Sequence, residues 1–233
     1  MQLRFFGHAA VGLIAHKTPV PGACALIDPF EPGGFGGAMG YGPIDFKPDT
    51  LFLTHRHLDH CHTAPWEGSA QVIDASDPAQ RRTTAAERWE LRTLQVAHDG
   101  FDGRLRGGHS QMLCLKVDGL TVVHTGDIGE LPAPEALESL TAGEPIDVLL
   151  LTCGGYYTLG PLEAHELALR LAARVIVPIH FAHDACALAH LEPVESYLRC
   201  VDAFERVPGR TSITLMPEDL PQTSTTLVLE PSC

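Results

Sequence analysis

At 233 residues, with 45% hydrophobic and 19% charged side chains, the chain has a globular composition and the length of one sizeable layered domain. Its formal net charge of −13 argues against nucleic acid as the main partner, because phosphate binding wants a basic surface. No stretch approaches the roughly 20 apolar residues of a membrane span, so no span is expected.

The first third reads as strands. Leu3 to Phe6, Val11 to His16 and Ala23 to Asp28 are short, apolar and separated by Gly or Pro. Residues 31 to 48 carry Gly33-Gly34, Gly36-Gly37, Gly40, Gly42 and Pro43, which predicts a long loop, either a lid or plain surface. Strand Leu51-Phe52-Leu53 runs into Thr54-His55-Arg56-His57-Leu58-Asp59-His60. Three imidazoles and a carboxylate so close behind a strand can be aimed into one small volume. That donor set suits zinc, iron, copper or nickel, and the carboxylate adds manganese.

Val72-Ile73 predicts the next strand, followed by a helix from about Pro78 to Trp89 and a strand near Leu94-Gln95-Val96. Met112 to Val117 and Leu120 to His124 are strands joined by Asp118-Gly119, a strong hairpin signal. Asp147 to Thr152 and Val175-Ile176-Val177 read as buried strands, with a helix from Pro161 to Ala173 between them. Leu191, Val194, Leu198 and Val201 recur at helical spacing, and residues 211 to 229 return to strands. No linker or repeat interrupts residues 1–233, so one domain is expected, with helices packed outside stacked sheets.

Further metal-ligand types recur at strand ends. Asp127 follows Val122-Val123-His124-Thr125-Gly126, and His180 follows Val175-Ile176-Val177-Pro178-Ile179. Seven cysteines without a C-x-x-C pair fit reduced thiols in a cytoplasmic protein better than a disulfide framework, and the N-terminus lacks the pattern of a signal peptide.

His55-x-His57-x-Asp59-His60, Gly126-Asp127 and the final His180 together resemble the metallo-β-lactamase fold superfamily of metal-dependent hydrolases. Gly7-His8-Ala9, Leu26-Ile27-Asp28-Pro29, and Asp147 to Leu151 leading to Gly154-Gly155 resemble its ascorbate-6-phosphate lactonase-like and N-acyl-phosphatidylethanolamine phospholipase D-like branch. The resemblance covers about residues 3 to 182. It implies an α+β fold, a four-layer αβ/βα sandwich with two divalent metal ions at one edge, zinc foremost and manganese or iron as alternatives. It implies that His55 and His57 bind the first metal, Asp59, His60 and His180 the second, and that Asp127 bridges both. The first metal needs one more histidine. His98 follows a strand and precedes an Arg/Gly-rich loop, as in the branch named; His109 sits in Gly108-His109-Ser110, as in glyoxalase II-like members; His98 is preferred.

The expected activity is hydrolysis of a small ester, lactone, amide or phosphoester by a hydroxide that the two metals activate, with no Ser or Cys nucleophile. Asp59 is the expected catalytic residue, orienting the hydroxide as well as binding metal. Asp28 is the expected partner that fixes a ligand imidazole. His8, His124 and His183 are candidate proton donors, each with a structural role as the competing reading. Cys61 is a candidate redox-sensitive thiol or a small buried residue. Tyr156 and Tyr157 are expected to border the pocket, and Arg104 and Arg106 are candidate anion contacts. His62, His165 and His190 read as ordinary surface or helix residues. Other readings are a non-catalytic metal-binding or sensor protein, a di-iron oxidoreductase (whose motif has Glu at His57, beside a flavodoxin domain absent here) or a nuclease. The expected partner is a small-molecule substrate, and a homo-oligomer is compatible with the sequence.

Overall fold

The computed structural model describes residues 1–17, 20–83, 89–105 and 107–233. Two mixed sheets form. The first has the strand order β12-β1-β2-β3-β4-β5, from β1 (Gln2–Gly7), β2 (Ala10–Ile14), β3 (Cys24–Ile27), β4 (Thr50–Leu53), β5 (Gln71–Asp74) and β12 (Ser212–Thr214). The second has the order β11-β13-β10-β9-β8-β7-β6, from β6 (Glu90–Ala97), β7 (His109–Val117), β8 (Leu120–His124), β9 (Val148–Thr152), β10 (Val175–Ile179), β11 (Phe204–Arg206) and β13 (Thr225–Val228).

Period-2 alternation sets how the first sheet faces. Leu3 and Phe5 of β1, Val11 and Leu13 of β2, and Ala25 and Ile27 of β3 point inward to the core shared with the second sheet. Phe6, Ala10 and Leu26 point outward into a smaller cluster. In the second sheet β9 and β10 are buried along their whole length, as parallel strands covered on both faces are, and their sequences are accordingly almost all apolar. Helix Pro134–Thr141 packs against β6, and helix Pro161–Leu171 against β9 and helix Val194–Leu198. Helix Pro161–Leu171 starts with Pro at N1 and buries Ala164, Leu167, Ala168 and Leu171 at helical spacing. This is the αβ/βα sandwich of the metallo-β-lactamase fold.

Several elements differ from the sequence reading. The Gly-rich loop is neither simple lid nor plain surface. Phe30, Met39 and Tyr41 are buried with Trp66 against the outer face of the first sheet, while the loop's short 3-10 turn at Phe35–Gly37 reaches the site. Loop thus replaces much of the helical layer there, because its apolar residues cover Phe6 and Leu26 without helical spacing. The helix expected from Pro78 to Trp89 is described as Pro78–Thr83; residues 84–88 lie outside the described residues, and Trp89 is a buried non-helical residue whose Nε1 donates to Thr50 Oγ1 at 3.1 Å. The helical spacing around Leu191 yields only Val194–Leu198, since Pro193 blocks an earlier start. No helix among the described residues is long and apolar enough to cross a membrane.

Direction positions the site. Antiparallel steps β1-β2-β3 and parallel steps β3-β4 leave β1, β3 and β4 running the same way; β6, β8 and β10 likewise share one direction. Their C-terminal ends meet at one edge of the sandwich, and the residues just past them are His8, Asp28, His55, His98, Asp127 and His180.

Candidate metal centre

Each of those side chains leaves a strand through a short turn. His8, Asp28 and His180 hold left-handed backbone, with φ of 51°, 46° and 54°. Non-glycine residues pay about 1–3 kcal/mol for such conformations, and they persist where the surrounding structure fixes them. Here the fixing bonds cross between the sheets: His180 N donates to the His8 carbonyl at 2.7 Å. Asp127 follows Gly126, whose missing side chain leaves room for the Gln111 carbonyl and Ser110 Oγ.

Asp127 lies at the centre. Its Oδ2 is 3.2 Å from His98 Nε2, 3.3 Å from His60 Nε2, 3.4 Å from His180 Nε2 and 3.8 Å from His55 Nε2. Three overlapping groups of donor atoms result, each within 4.8 Å across: His55, His57, His98 and Asp127; His8, Asp59, His60 and His180; and, behind them, Asp28, His55 and His60. Most of these residues are buried; His57 and Asp59 are half-buried and face the opening.

Behind the cluster, hydrogen bonds orient the rings. Thr54 Oγ1 donates to Asp28 Oδ2 at 2.6 Å, so at 2.9 Å it accepts from His55 Nδ1. His60 Nδ1 donates to Asp28 Oδ2 at 3.1 Å, and Thr54 N donates to Asp28 Oδ1 at 2.8 Å. With Nδ1 engaged behind, each ring turns its Nε2 toward Asp127. Ser110 Oγ accepts from Asp127 N at 3.0 Å and lies 3.3 Å from His55 Nδ1. Asp59 Oδ2 accepts from His8 Nε2 at 3.0 Å.

Charges follow this geometry. Burial, then the neighbouring His180, pushes His8 down to about 4. Burial and His60 push His55 down to about 3, and burial and His98 lower His57. On His60 burial opposes the charge, but Asp127 and Asp59 outweigh it and lift the ring well above its usual value. His98 is raised too, because its contact with Asp127 outweighs burial. Burial would also raise Asp127, yet His180 and His60 hold it well below the carboxylate range; His60 and His8 do the same for Asp59. The carboxylates at this edge are therefore ionised and draw positive charge.

His55 Nε2, His60 Nε2, His98 Nε2 and Asp127 Oδ1 are buried and have no hydrogen-bond partner of acceptable geometry. Each such orphan costs about 1–3 kcal/mol, and cations held at the first two donor groups would satisfy them. The donor set thus fits metal.

The structure brings His55, His57, Asp59, His60, His98, Asp127 and His180 together and leaves His109 at the surface, exposed and 3.3 Å from Asp102. His124 is a satisfied buried residue: its Nε2 donates to the Ala9 carbonyl and its Nδ1 accepts from Gly126 N. Its ring braces the turn that presents Asp127 and is no proton donor to the opening. His183 Nδ1 accepts from Ala185 N, and the ring stacks on Tyr41. Arg104 is exposed beside Asp102, and Arg106 lies outside the described residues. Cys61 is half-buried, and burial raises its thiol. Tyr156 and Tyr157 do border the cavity over the cluster, about 530 Å³ in volume. Sequence reading gave no role to Thr54 or Ser110, and named His8 as a candidate proton donor rather than as a member of a donor group. The signals were present as the residue before His55, the residue after His109 and the Gly7-His8 strand end.

The beta-lactamase superfamily domain model matches residues 2–180, and the chain belongs to that superfamily. Within it, the chain is a metal-dependent hydrolase with His/Asp metal-binding clusters. A UPF0173 metal-dependent hydrolase of Methanospirillum hungatei is 30% identical over 200 residues, 78% of this chain and 83% of the relative. Its counterpart in Thermococcus onnurineus is 28% identical over 199 residues, 78% of this chain and 84% of the relative. A solved structure from Thermotoga maritima, described as a Zn-dependent hydrolase of the metallo-β-lactamase superfamily, is 27% identical, with a TM-score of 0.71 over 98% of both chains.

Proposed function

We propose that the chain hydrolyses a small ester, lactone, amide or phosphoester at a centre for two divalent ions. The observation that carries this reading is Asp127 Oδ2 within 3.2–3.8 Å of four imidazole nitrogens, three of them buried without hydrogen-bond partners. His55, His57 and His98 would hold one ion, Asp59, His60 and His180 the other, and Asp127 both. When bound, such a pair supplies Lewis acidity for the scissile group and lowers the pKa of a water between the ions. Zinc suits a set this rich in histidine, and manganese and iron share the same donor types.

The chain's own residues do the rest. Asp28 and Thr54 lock the His55 and His60 tautomers. Asp59, half-buried at the opening, accepts a hydrogen bond from the attacking water while His8 holds its Oδ2 in place. The partner is a small molecule, and seven unbridged cysteines fit a reducing compartment such as the cytoplasm.

Elemental analysis of the wild type and of a His57→Ala/His180→Ala double variant tests this. About two metals per chain, lost in the variant, together with ester, lactone, amide or phosphoester hydrolysis by the loaded protein, is the expected result. Absence of metal after reconstitution with zinc, manganese and iron would sink it.

A further inference from the structure

The cavity over the cluster has a polar floor and an apolar wall. Its wall is Phe35, Leu58, Leu105, Tyr156, Tyr157 and Leu188. Four of these are among the large hydrophobics that the protein leaves exposed: Leu58 at 72%, Leu105 at 67%, Phe35 and Tyr156 at 49%. They come from four separate segments, following β3, β4, β6 and β9. A single exposed leucine needs no explanation, but four apolar side chains from four loops around one mouth do. Among the described residues lining the cavity, Arg56 is the one fixed cation, and its Nε donates to Asp74 Oδ2 at 2.5 Å. Among the described residues, the side chains of the lining therefore lack the paired guanidinium or ammonium donors that a phosphate group favours, which leaves the ions alone to meet one.

We propose that this wall is an acyl pocket. The substrate is a carboxylic ester, lactone or amide whose acyl part is a medium-length hydrocarbon or an aromatic group, and Phe35, Leu58, Leu105 and Tyr156 set that preference. The proposal rests on the hydrolytic reading above and narrows it. Water adds across the acyl C–O or C–N bond: its hydroxyl joins the acyl carbon, its remaining proton goes to the leaving alcohol or amine, and a carboxylic acid is released. The volume, about 530 Å³, falls in the usual range for sites that enclose a small organic ligand. The wall and the floor of His57, Asp59, His98, Asp127 and His180 line one continuous cavity, which fits the substrate's own apolar part as the occupant. Each methylene buried there raises kcat/KM by up to about fourfold.

The test uses metal-loaded protein and p-nitrophenyl esters from acetate to decanoate, with p-nitrophenyl phosphate alongside. The expected result is a kcat/KM that climbs with acyl length to about octanoate, and phosphate turnover far below it. A Phe35→Ser/Leu105→Ser variant is expected to lower the octanoate-to-acetate ratio by about tenfold or more, a ratio independent of how much variant folds. In parallel, saturation-transfer NMR on metal-free protein is expected to show octanamide bound, acetamide unbound, and octanamide lost in the variant. A flat length profile or a preference for the phosphoester would overturn the proposal. So would an unchanged ratio in a variant that sediments as a smaller oligomer, since the wall would then be a contact between copies. If nothing is hydrolysed but octanamide binds to the wild type alone, the hydrolytic reading fails and the acyl pocket stands.

Discussion

His98 and His109 flank one Gly-rich loop, and side-chain direction separates them. His98 follows the last residue of β6 and turns in toward Asp127. His109 opens β7, where neighbours point to opposite faces, so its burial of Ser110 leaves His109 in solvent. His98→Ala is therefore expected to lose metal from one site, whereas His109→Ala keeps full metal content and shifts stability by no more than about 0.5 kcal/mol. Elemental analysis with urea unfolding reads both, and the reverse outcome would exchange their roles. Ser110→Ala leaves Asp127 N without its acceptor and is expected to cost about 1–3 kcal/mol in the same unfolding experiment. Asp28 accepts from Thr54 N, Thr54 Oγ1 and His60 Nδ1 at once. An amide there turns at least one of these contacts donor-to-donor. On the proposed reading, Asp28→Asn weakens metal affinity by about 10–100-fold, read by competition with a fluorescent chelator; unchanged affinity would make Asp28 a purely structural residue.

At the scale of elements, strand ends carry the site, and close backbone packing carries the strand ends. A Cβ on Gly154, just past β9, would sit 2.2 Å from the His180 carbonyl and 3.0 Å from Phe181 Cα. Backbone cannot give way as a flexible side chain does. Gly154→Ala is expected to displace His180, lower the melting temperature by several degrees and cut metal bound at the second site. Full metal content at wild-type stability would show that the loop relaxes freely. Local signals of this kind explain what was legible in the chain. Thr54 to His60, Gly126-Asp127 and Ile179-His180 were readable because each is a strand followed at once by ligand chemistry. The Asp118-Gly119 hairpin was readable because both residues take positive φ, which that pair tolerates. The loop between His98 and His109 was not decidable from spacing. Its path is set by Asp99, whose carboxylate gathers the backbone N–H groups of Phe101, Gly103 and Leu105. Residues 31–48 were illegible for a related reason: glycines announce a loop, but the burial of Met39 and Tyr41 depends on the distant Phe6 and Leu26.

Across the whole molecule, the candidate ligands divide between the two sheets. His55 and His60 follow strand β4 of the first; His98, Asp127 and His180 follow β6, β8 and β10 of the second. The sheets already share an apolar core, so metal is not required to hold them face to face. At the site edge the apolar core gives way to ionised carboxylates and orphaned imidazole nitrogens. A cation that binds only the folded arrangement stabilises it by mass action, by about 2.7 kcal/mol when its concentration is 100 times its dissociation constant. For a chain of this size each kcal/mol moves the midpoint by about 2–4 °C. Chelation of metal-loaded protein is therefore expected to lower its melting temperature by about 5–10 °C, and zinc or manganese in excess over the chelator to restore it. The His57→Ala/His180→Ala variant is expected to melt at one temperature with or without chelator. If the loaded wild type also shows no shift, the ions contribute nothing to holding this edge, and packing between the sheets alone positions the cluster.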